Sequence, residues 1–267
     1  MRDKIFIKKH VAGCSALLCV LFFMGACSLV KKGPSPGPLF PTVSGIFLED
    51  LKNRANTVES VTVTGRLRLK KGPKWLPSVR IKAWYIKRQE ESFLRIKAFA
   101  SFSITVFDLL SKNGHCWIYL PRSGKVYEGS TFFTSYGNIG VQAATDLIGI
   151  VLNPWSPARE LKLFEQACSE DHGLRCFRAR FMGQETVFEY LDDLSPTRFY
   201  SKDVTILFHQ ERSHAFPDRI SFSIKRAGLS GILSVSDYKI NNLKPDSLLF
   251  HEEFFLRKLL ESKDSTQ

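Results

Sequence analysis

Few side chains in this 267-residue sequence have the types and spacing that catalysis requires. His209 and His214 lie five positions apart on a predicted strand-to-loop segment, and this spacing does not bring both onto one metal ion. Asp192 and Asp193 stand in a Leu-Asp-Asp-Leu-Ser-Pro segment, where turn formation accounts for both acids. His115 is a predicted hairpin residue. No serine-hydrolase, zinc-protease, Walker or dinucleotide motif occurs, so we expect no catalytic residue, no metal, no cofactor and no enzyme activity.

The cysteines are the remaining chemical candidates. Cys27 ends an apolar run, whereas Cys116, Cys168 and Cys176 lie in the body of the chain. Cys168 and Cys176 flank a predicted turn, and a hairpin there would place them opposite each other, which predicts a disulfide in an oxidising compartment. Three buried, reduced cysteines are the equally supported alternative. No Cys-x-x-Cys or Cys/His spacing typical of a metal site occurs.

The segment ahead of Cys27 has the layout of an export signal. Basic residues at positions 2, 4, 8 and 9 precede an uncharged run at 11–26 that is short for a bilayer-spanning helix, which needs about 20 residues. Its end, Met24-Gly25-Ala26-Cys27, resembles the lipobox of bacterial lipoproteins. This resemblance implies a signal peptide at 1–26 and lipidation of Cys27; an uncleaved signal anchor is the alternative. The Pro- and Gly-rich stretch that follows predicts a flexible tether over 27–43.

The chain is strongly basic, with 38 Lys and Arg residues against 26 Asp and Glu residues. Most of this charge lies beyond the signal, in one predicted domain at 44–261 followed by a tail at 262–267. In an exported protein, such a charge favours anionic lipid headgroups as partners. No RNA-binding or helix-turn-helix pattern occurs, which argues against nucleic acid. We expect a monomer.

Hydrophobic periodicity predicts a mainly β fold of the α+β class. Residues 44–57 repeat apolar side chains at helical spacing, and from residue 60 the period changes to two. Ten strand-like runs at short spacing then indicate a meandering antiparallel sheet. Further helices are predicted at 139–152 and 252–260. The predicted strands are 60–70, 79–85, 93–99, 104–110, 116–120, 174–182, 186–191, 204–210, 219–226 and 229–240.

The two faces of the early strands differ in polarity. One face carries a basic row: Arg66, Arg68, Lys70, Arg80 and Lys82. The other face is apolar and must be buried. Ten strands present more apolar surface than a few helices can cover, so the sheet should curl around the helices as a curved, unclosed barrel and leave a hollow. Candidate lining residues, taken from strand alternation and from the internal helix, are Leu67, Leu69, Ile81, Phe107, Trp117, Leu147, Ile148, Phe222 and Ile224.

The sequence resembles the lipoprotein-localisation family of LolA and LolB over roughly residues 44–255. The Lys-Asn-Gly-His-Cys-Trp-Ile-Tyr-Leu-Pro segment at 112–121 is similar to the hairpin between that family's central strands. Residues 216–220 and 238–241 are similar to its closing strands. The resemblance implies an unclosed antiparallel β-barrel that wraps around helices and binds the acyl chains of lipoproteins or lipids in its hollow.

The family's Arg-Pro-x-x-Phe-Arg segment is absent, and residues 72–77 stand in its place. This departure and the lipobox favour the anchored, receptor-like branch over the soluble carrier. Ser28 after the lipidated cysteine resembles the outer-membrane sorting choice of enteric bacteria. The expected protein therefore faces the periplasm from the outer membrane and takes part in lipoprotein sorting or insertion, with a soluble lipoprotein carrier as a partner. The alternative is a structural or sensing envelope lipoprotein whose filled barrel binds proteins or lipids without transfer.

The loop at 70–77 sets Trp75 and Leu76 among three lysines. This composition suits the interfacial zone of an anionic membrane, so both residues are candidates for membrane contact. Packing of Trp75 on the core is the alternative.

Overall fold

The computed structural model describes residues 44–88, 91–134, 137–166, 173–181, 183–210, 216–225, 228–244 and 247–264. The predicted signal peptide and tether lie outside these residues. The helices are α1 (Ser44–Thr57), α2 (Val141–Leu152), α3 (Ser156–Glu160) and α4 (Glu253–Asp264). The strands are β1 (Ser60–Lys71), β2 (Lys74–Trp75), β3 (Val79–Arg88), β4 (Glu91–Phe99), β5 (Thr105–Lys112), β6 (His115–Leu120), β7 (Lys125–Gly129), β8 (Thr131–Thr134), β9 (Gly137–Gly140), β10 (Phe164–Gln166), β11 (Leu174–Phe181), β12 (Gln184–Leu191), β13 (Pro196–Ser201), β14 (Val204–His209), β15 (Arg219–Ile224) and β16 (Leu229–Ile240).

One antiparallel sheet of 14 strands dominates the architecture. Its order is β10-β11-β12-β13-β14-β15-β16-β1-β3-β4-β5-β6-β7, with β2 added to β1, and β8 and β9 form a separate hairpin. Most neighbours in the sheet are also neighbours in sequence, as a meander requires. The exceptions are the pairing of β1 with β3, between which the short β2 intervenes, and the pairing of β1 with β16, which joins the two halves of the chain. Strands β10 and β7 end the sheet and do not pair with each other, so the predicted unclosed antiparallel barrel is confirmed.

The concave, inner face of the sheet carries the main hydrophobic core. Helix α1 buries Leu51 and Ala55 there, and its Phe47 stacks on Phe177 of β11 at a ring distance of 5.7 Å. Trp155, which is 2% exposed, precedes α3 and donates from Nε1 to the carbonyl oxygen of Leu194 at 2.8 Å. Helices α1, α2 and α3 together fill most of the space that the curved sheet encloses.

The outer face carries a second, smaller core that covers only part of the sheet. Alternate residues of β3, β4, β5 and β6 point outward here and pack beneath α4 and the 3-10 turn at Leu248–Phe250. Arg95 fixes this layer, because its guanidinium pairs with both carboxylate oxygens of Asp108 (2.7 and 3.0 Å) and donates to the carbonyl oxygen of Leu249 at 2.8 Å. The members of the outer core are Trp84, Ile86, Phe93, Leu110, Trp117, Phe250 and Phe255.

Both cores draw all their members from residues between Phe47 and Phe255. The segment from α1 to α4 therefore holds its own sheet and its own buried interior. Among the described residues, no helix combines the length and the apolar character needed to cross a bilayer.

Helix α1 has the predicted bounds, whereas α2 begins two residues later than predicted because Gly137–Gly140 pairs with Thr131–Thr134 as a hairpin. The predicted C-terminal helix is present as α4 and runs beyond residue 260.

Candidate functional site

An apolar cavity of about 110 Å³ lies between α2 and the inner face of the sheet. Seven consecutive strands of the sheet, from β14 through β15, β16, β1, β3 and β4 to β5, contribute to its wall. Every one of its lining side chains is apolar. They are Leu67, Ile81, Ala83, Ile96, Phe107, Leu147, Ile148, Val151, Leu152, Val204, Ile206, Ile220, Phe222, Ile224 and Leu233.

The backbone periods explain this lining. Strand residues two apart point to the same face, so Ile81 and Ala83, or Ile220 and Phe222, face the cavity in pairs. On α2 the lining residues follow helical spacing, because Leu147 and Ile148 are repeated one turn later by Val151 and Leu152.

Helix α2 is held at a fixed distance from the sheet by polar and steric contacts. The hydroxyls of Thr145 on α2 and Ser111 on β5 share a buried hydrogen bond of 2.7 Å. Gly149 faces Tyr85 of β3, and a β-carbon at this position would lie 2.5 Å from the Tyr85 hydroxyl. Glycine therefore lets the helix approach the strand closely.

The cavity reaches the surface at one side. Val151 at the end of α2, Val204 on β14 and Phe222 on β15 are half-buried, whereas the other lining residues are buried. We call these three partly exposed side chains the mouth of the cavity.

The structure brings together seven of the nine residues predicted from sequence to line the hollow: Leu67, Ile81, Phe107, Leu147, Ile148, Phe222 and Ile224. Leu69 is buried but does not line the cavity. It packs with the Phe222 ring against Gly231, where a β-carbon would overlap both side chains.

Trp117 was predicted to line the hollow, but its side chain lies on the outer face of the sheet. It belongs to the outer core, and its ring contacts the ring of His115 at 4.4 Å between centroids. The neighbours Cys116 and Ile118 occupy the inner core instead. Strand β6 is apolar on both faces, so alternation alone does not fix which residues point inward.

Eight further lining residues were missed by the sequence reasoning. Ala83 and Ile220 lie two positions from predicted members, and Val151 and Leu152 lie one helical turn beyond predicted members. The spacing of these four residues from predicted members is the sequence signal that could have identified them. The others are Ile96, Val204, Ile206 and Leu233.

The described residues around the cavity offer little acid-base or nucleophilic chemistry. No group of three His, Cys, Asp or Glu side chains among them could hold a metal ion. Burial raises the pKa of the Cys116 thiol, so the thiolate is disfavoured. His209 hydrogen-bonds Ser221 at 3.1 Å, and Asp193 accepts a hydrogen bond from the backbone N–H of Ser195 at 2.9 Å, as a turn residue does.

One cluster of charges lies beside α2, away from the lining. The Lys87 ammonium is 3.5 Å from the Asp146 carboxylate and 4.0 Å from the Glu160 carboxylate. Burial raises the pKa of Glu160 against the opposing pull of Lys87 and Arg159. Burial likewise raises the pKa of the Tyr85 hydroxyl, so this hydroxyl keeps its proton at neutral pH. The cluster positions α2 and presents no group to the cavity.

Among the other predicted site residues that the structure describes, Cys176, Trp75 and Leu76 do not line the cavity. Cys27 and Cys168 lie outside the described residues, while Cys176 is disulfide-bonded and Cys116 is a buried free thiol. Trp75 is 41% exposed and lies against the guanidinium of Arg68.

Leu76, by contrast, is half-buried and packs against the main core. The two adjacent side chains of this loop therefore occupy different environments.

No protein-family model matches the sequence, and no curated protein matches it significantly. Solved structures do match. A DUF1329 family protein from Desulfovibrio piger aligns over 79% of this chain and 98% of its own, with a TM-score of 0.56 and 15% identity. A domain provisionally assigned as an outer membrane lipoprotein-sorting protein, from Vibrio parahaemolyticus, aligns over 79% and 97%, with a TM-score of 0.54 and 11% identity.

A LolA superfamily protein from Nitrosomonas europaea aligns over 78% of this chain and 98% of its own, with a TM-score of 0.49 and 12% identity. At such identities, structural similarity establishes the fold and not the activity. The first two superpositions show that the chain shares the fold of these two proteins. This open antiparallel sheet around internal helices is the fold expected from the sequence's resemblance to LolA and LolB.

Proposed function

We propose that this chain is a lipid-anchored envelope protein whose cavity binds acyl chains. The observation that carries the proposal is the lining of the cavity, in which every side chain is apolar and which opens at Val151, Val204 and Phe222. An apolar hollow of this kind stays free of ordered water and accepts apolar ligands. The cavity also favours binding over the alternative of a filled, purely structural barrel.

The cavity volume limits how much of a chain it holds. Because a cavity of about 150 Å³ accepts benzene, one carbon group needs about 25 Å³, and a cavity of 110 Å³ accepts on the order of four methylenes. Each buried methylene contributes about 0.8 kcal/mol, so four contribute roughly 3 kcal/mol, equivalent to a dissociation constant of roughly 5 mM. Such weak binding would release a captured chain readily.

A chain-length series tests the proposal. The segment from residue 28 to residue 267 is purified, delipidated and loaded with an apolar fluorescent dye, which saturated fatty acids of increasing length then displace. Affinity should rise about fourfold per methylene and level off once about four methylenes are buried. Mass spectrometry of an organic extract of the undelipidated protein should find a bound lipid. Displacement that is unsaturable, or equal for all chain lengths, would contradict a binding cavity.

The role that fits this binding is lipoprotein sorting or insertion at the outer membrane. Lipidation at Cys27 would hold the domain on the periplasmic side, because two or three acyl chains give stable anchoring where one does not. Cargo would pass from a soluble carrier to this protein by a difference in affinity, without nucleotide hydrolysis. Depletion in cells should then leave other lipoproteins in the inner membrane or the periplasm. An unchanged distribution would reject the sorting role and leave lipid binding as a separate activity.

A further inference from the structure

Five basic side chains form a row on the outer face of β1 and β3, on the part of that face that α4 does not cover. Arg66 and Arg80 are direct cross-strand partners, although like charges in this position destabilise a sheet. Four of the five side chains are exposed, and Lys70 is half-buried. We call this row the basic face; it consists of Arg66, Arg68, Lys70, Arg80 and Lys82.

The basic face lacks the acidic partners that other basic residues of the domain have. Among the described residues, no carboxylate oxygen lies within 4.0 Å of any of its five cationic groups. Elsewhere Arg95 pairs with Asp108, and Arg198 pairs with Glu189, both at 2.7 Å. The charge of the basic face is therefore concentrated and uncompensated, and the folding of the sheet does not account for it.

Trp75 stands at one end of this row. Its ring lies 4.9 Å from the Arg68 guanidinium and 5.8 Å from the Lys70 ammonium. The hairpin that carries it is fixed, because the N–H of Leu76 donates to the Leu69 carbonyl oxygen at 2.8 Å and the N–H of Gly72 donates to the Gly228 carbonyl oxygen at 2.9 Å. A rigid, exposed tryptophan flanked by cations is suited to the headgroup level of a membrane.

We propose that the basic face and Trp75 together dock the domain onto the surface of an anionic lipid bilayer. The row supplies charge complementary to phosphate headgroups, and Trp75 supplies the apolar ring that enters the interface. Single-stranded nucleic acid would need several exposed aromatic rings for base stacking. Two other aromatic rings border this face, and neither is fully exposed: Trp84 is only 8% exposed and packs in the outer core, and Phe99, the cross-strand partner of Arg80, is half-buried. The proposal does not depend on acyl-chain binding in the cavity.

Vesicle binding tests this docking with a charge-matched control. The segment from residue 28 to residue 267, which contains both cores, is titrated with phosphatidylglycerol/phosphatidylcholine vesicles and with pure phosphatidylcholine vesicles. Each basic residue near an anionic surface strengthens binding about fivefold, so the triple variant Arg66→Ser, Arg68→Ser, Arg80→Ser should bind anionic vesicles about a hundredfold more weakly.

The control removes the same charge from exposed sites elsewhere: Lys52→Ser, Arg122→Ser, Lys125→Ser. This control should lose far less affinity than the basic-face variant. Equal losses in the two triple variants would reject a specific face in favour of net charge.

Trp75 provides a second readout within the same protein. Trp84, Trp117 and Trp155 are at most 8% exposed, so aqueous acrylamide quenches mainly Trp75. Anionic vesicles should protect Trp75 from acrylamide, and lipids brominated on their acyl chains should quench it. Unchanged acrylamide quenching would overturn the orientation that we propose. Tighter binding to an oligonucleotide or an acidic peptide than to anionic vesicles, at equal salt, would overturn the choice of a membrane as the partner.

Discussion

Replacing Ala83 by leucine tests whether the cavity is real and whether it limits ligand length. Ala83 is 1% exposed and lines the cavity from β3. The leucine side chain adds three carbon groups beyond the β-carbon, and these groups should enter the hollow. Ala179 on β11 is the matched control, because it is 3% exposed in the main core and does not line the cavity.

The two substitutions should have opposite effects on stability. Filling an existing cavity commonly stabilises a protein by about 0.5–2 kcal/mol. Adding the same groups to a packed position costs about 1–3 kcal/mol. Urea unfolding should therefore place the free energy of unfolding of Ala83→Leu at least about 1.5 kcal/mol above that of Ala179→Leu.

The same pair of variants should separate in ligand binding. Three carbon groups of leucine take the space of about three ligand methylenes, which at about 0.8 kcal/mol each is roughly 2.4 kcal/mol, or a sixtyfold loss of affinity for a chain that fills the cavity. The plateau in the chain-length series should also move about three carbons shorter. If Ala83→Leu instead destabilises the protein as much as Ala179→Leu does and leaves the plateau unchanged, the cavity is not the binding site.

Three further predictions concern single positions. Cys27→Ala should abolish labelling by radioactive palmitate and leave an uncleaved or soluble precursor; retained labelling and normal processing would reject Cys27 as the lipidation site. Ile148→Arg should abolish dye binding, because it places a bulky charged side chain in the apolar cavity. Circular dichroism should confirm that this variant is folded. Full dye binding by the folded variant would contradict the lining of the cavity. Gly149→Ala should lower the free energy of unfolding by about 1–3 kcal/mol, since its β-carbon would lie 2.5 Å from the Tyr85 hydroxyl, although alanine in a helix normally gains about 1 kcal/mol. Tyr85→Phe in the same background should recover part of this loss, and a stabilised Gly149→Ala variant would show that α2 has room to move.

Strong, one-sided periodicity made most of the sheet predictable from sequence. Strand β1 shows it best, because from Gly65 to Leu69 its buried residues alternate with exposed arginines. Helix α1 was also predictable, since Phe47, Leu51 and Ala55 are buried at helical spacing, although Ile46 in its first turn is 67% exposed. In these elements the polarity of most residues reports their environment.

Short elements and two-sided strands were not predictable in this way. Helix α3 has only five residues and gives no periodic signal. Strand β13, at Pro196–Ser201, begins with proline directly after a turn and has few apolar residues, so its pairing with β12 and β14 decides its conformation. The orientation of Trp117 required knowledge of α4, because only the helix packed outside shows that β6 is buried on both faces.

The apolar lining limits which features of a ligand the cavity could recognise. Ligand pockets usually fix orientation and specificity with a few polar groups, and no lining residue here carries one. A charged headgroup would lose its hydration inside such a hollow, so it must stay at the mouth, in water. If the cavity binds acyl chains as we propose, it should therefore select for chain length but not for headgroup.

Strands β1 and β3 separate this cavity from the basic face across one layer of backbone. Leu67 lines the cavity, whereas its neighbours Arg66 and Arg68 point outward. Successive residues of a strand face opposite sides, so the side chains that would contact a membrane are not the side chains that line the cavity. The two activities should accordingly separate by mutation: the triple basic-face variant should keep dye binding and lose vesicle binding, and Ile148→Arg should do the reverse. Loss of both activities in either folded variant would mean that one surface performs both.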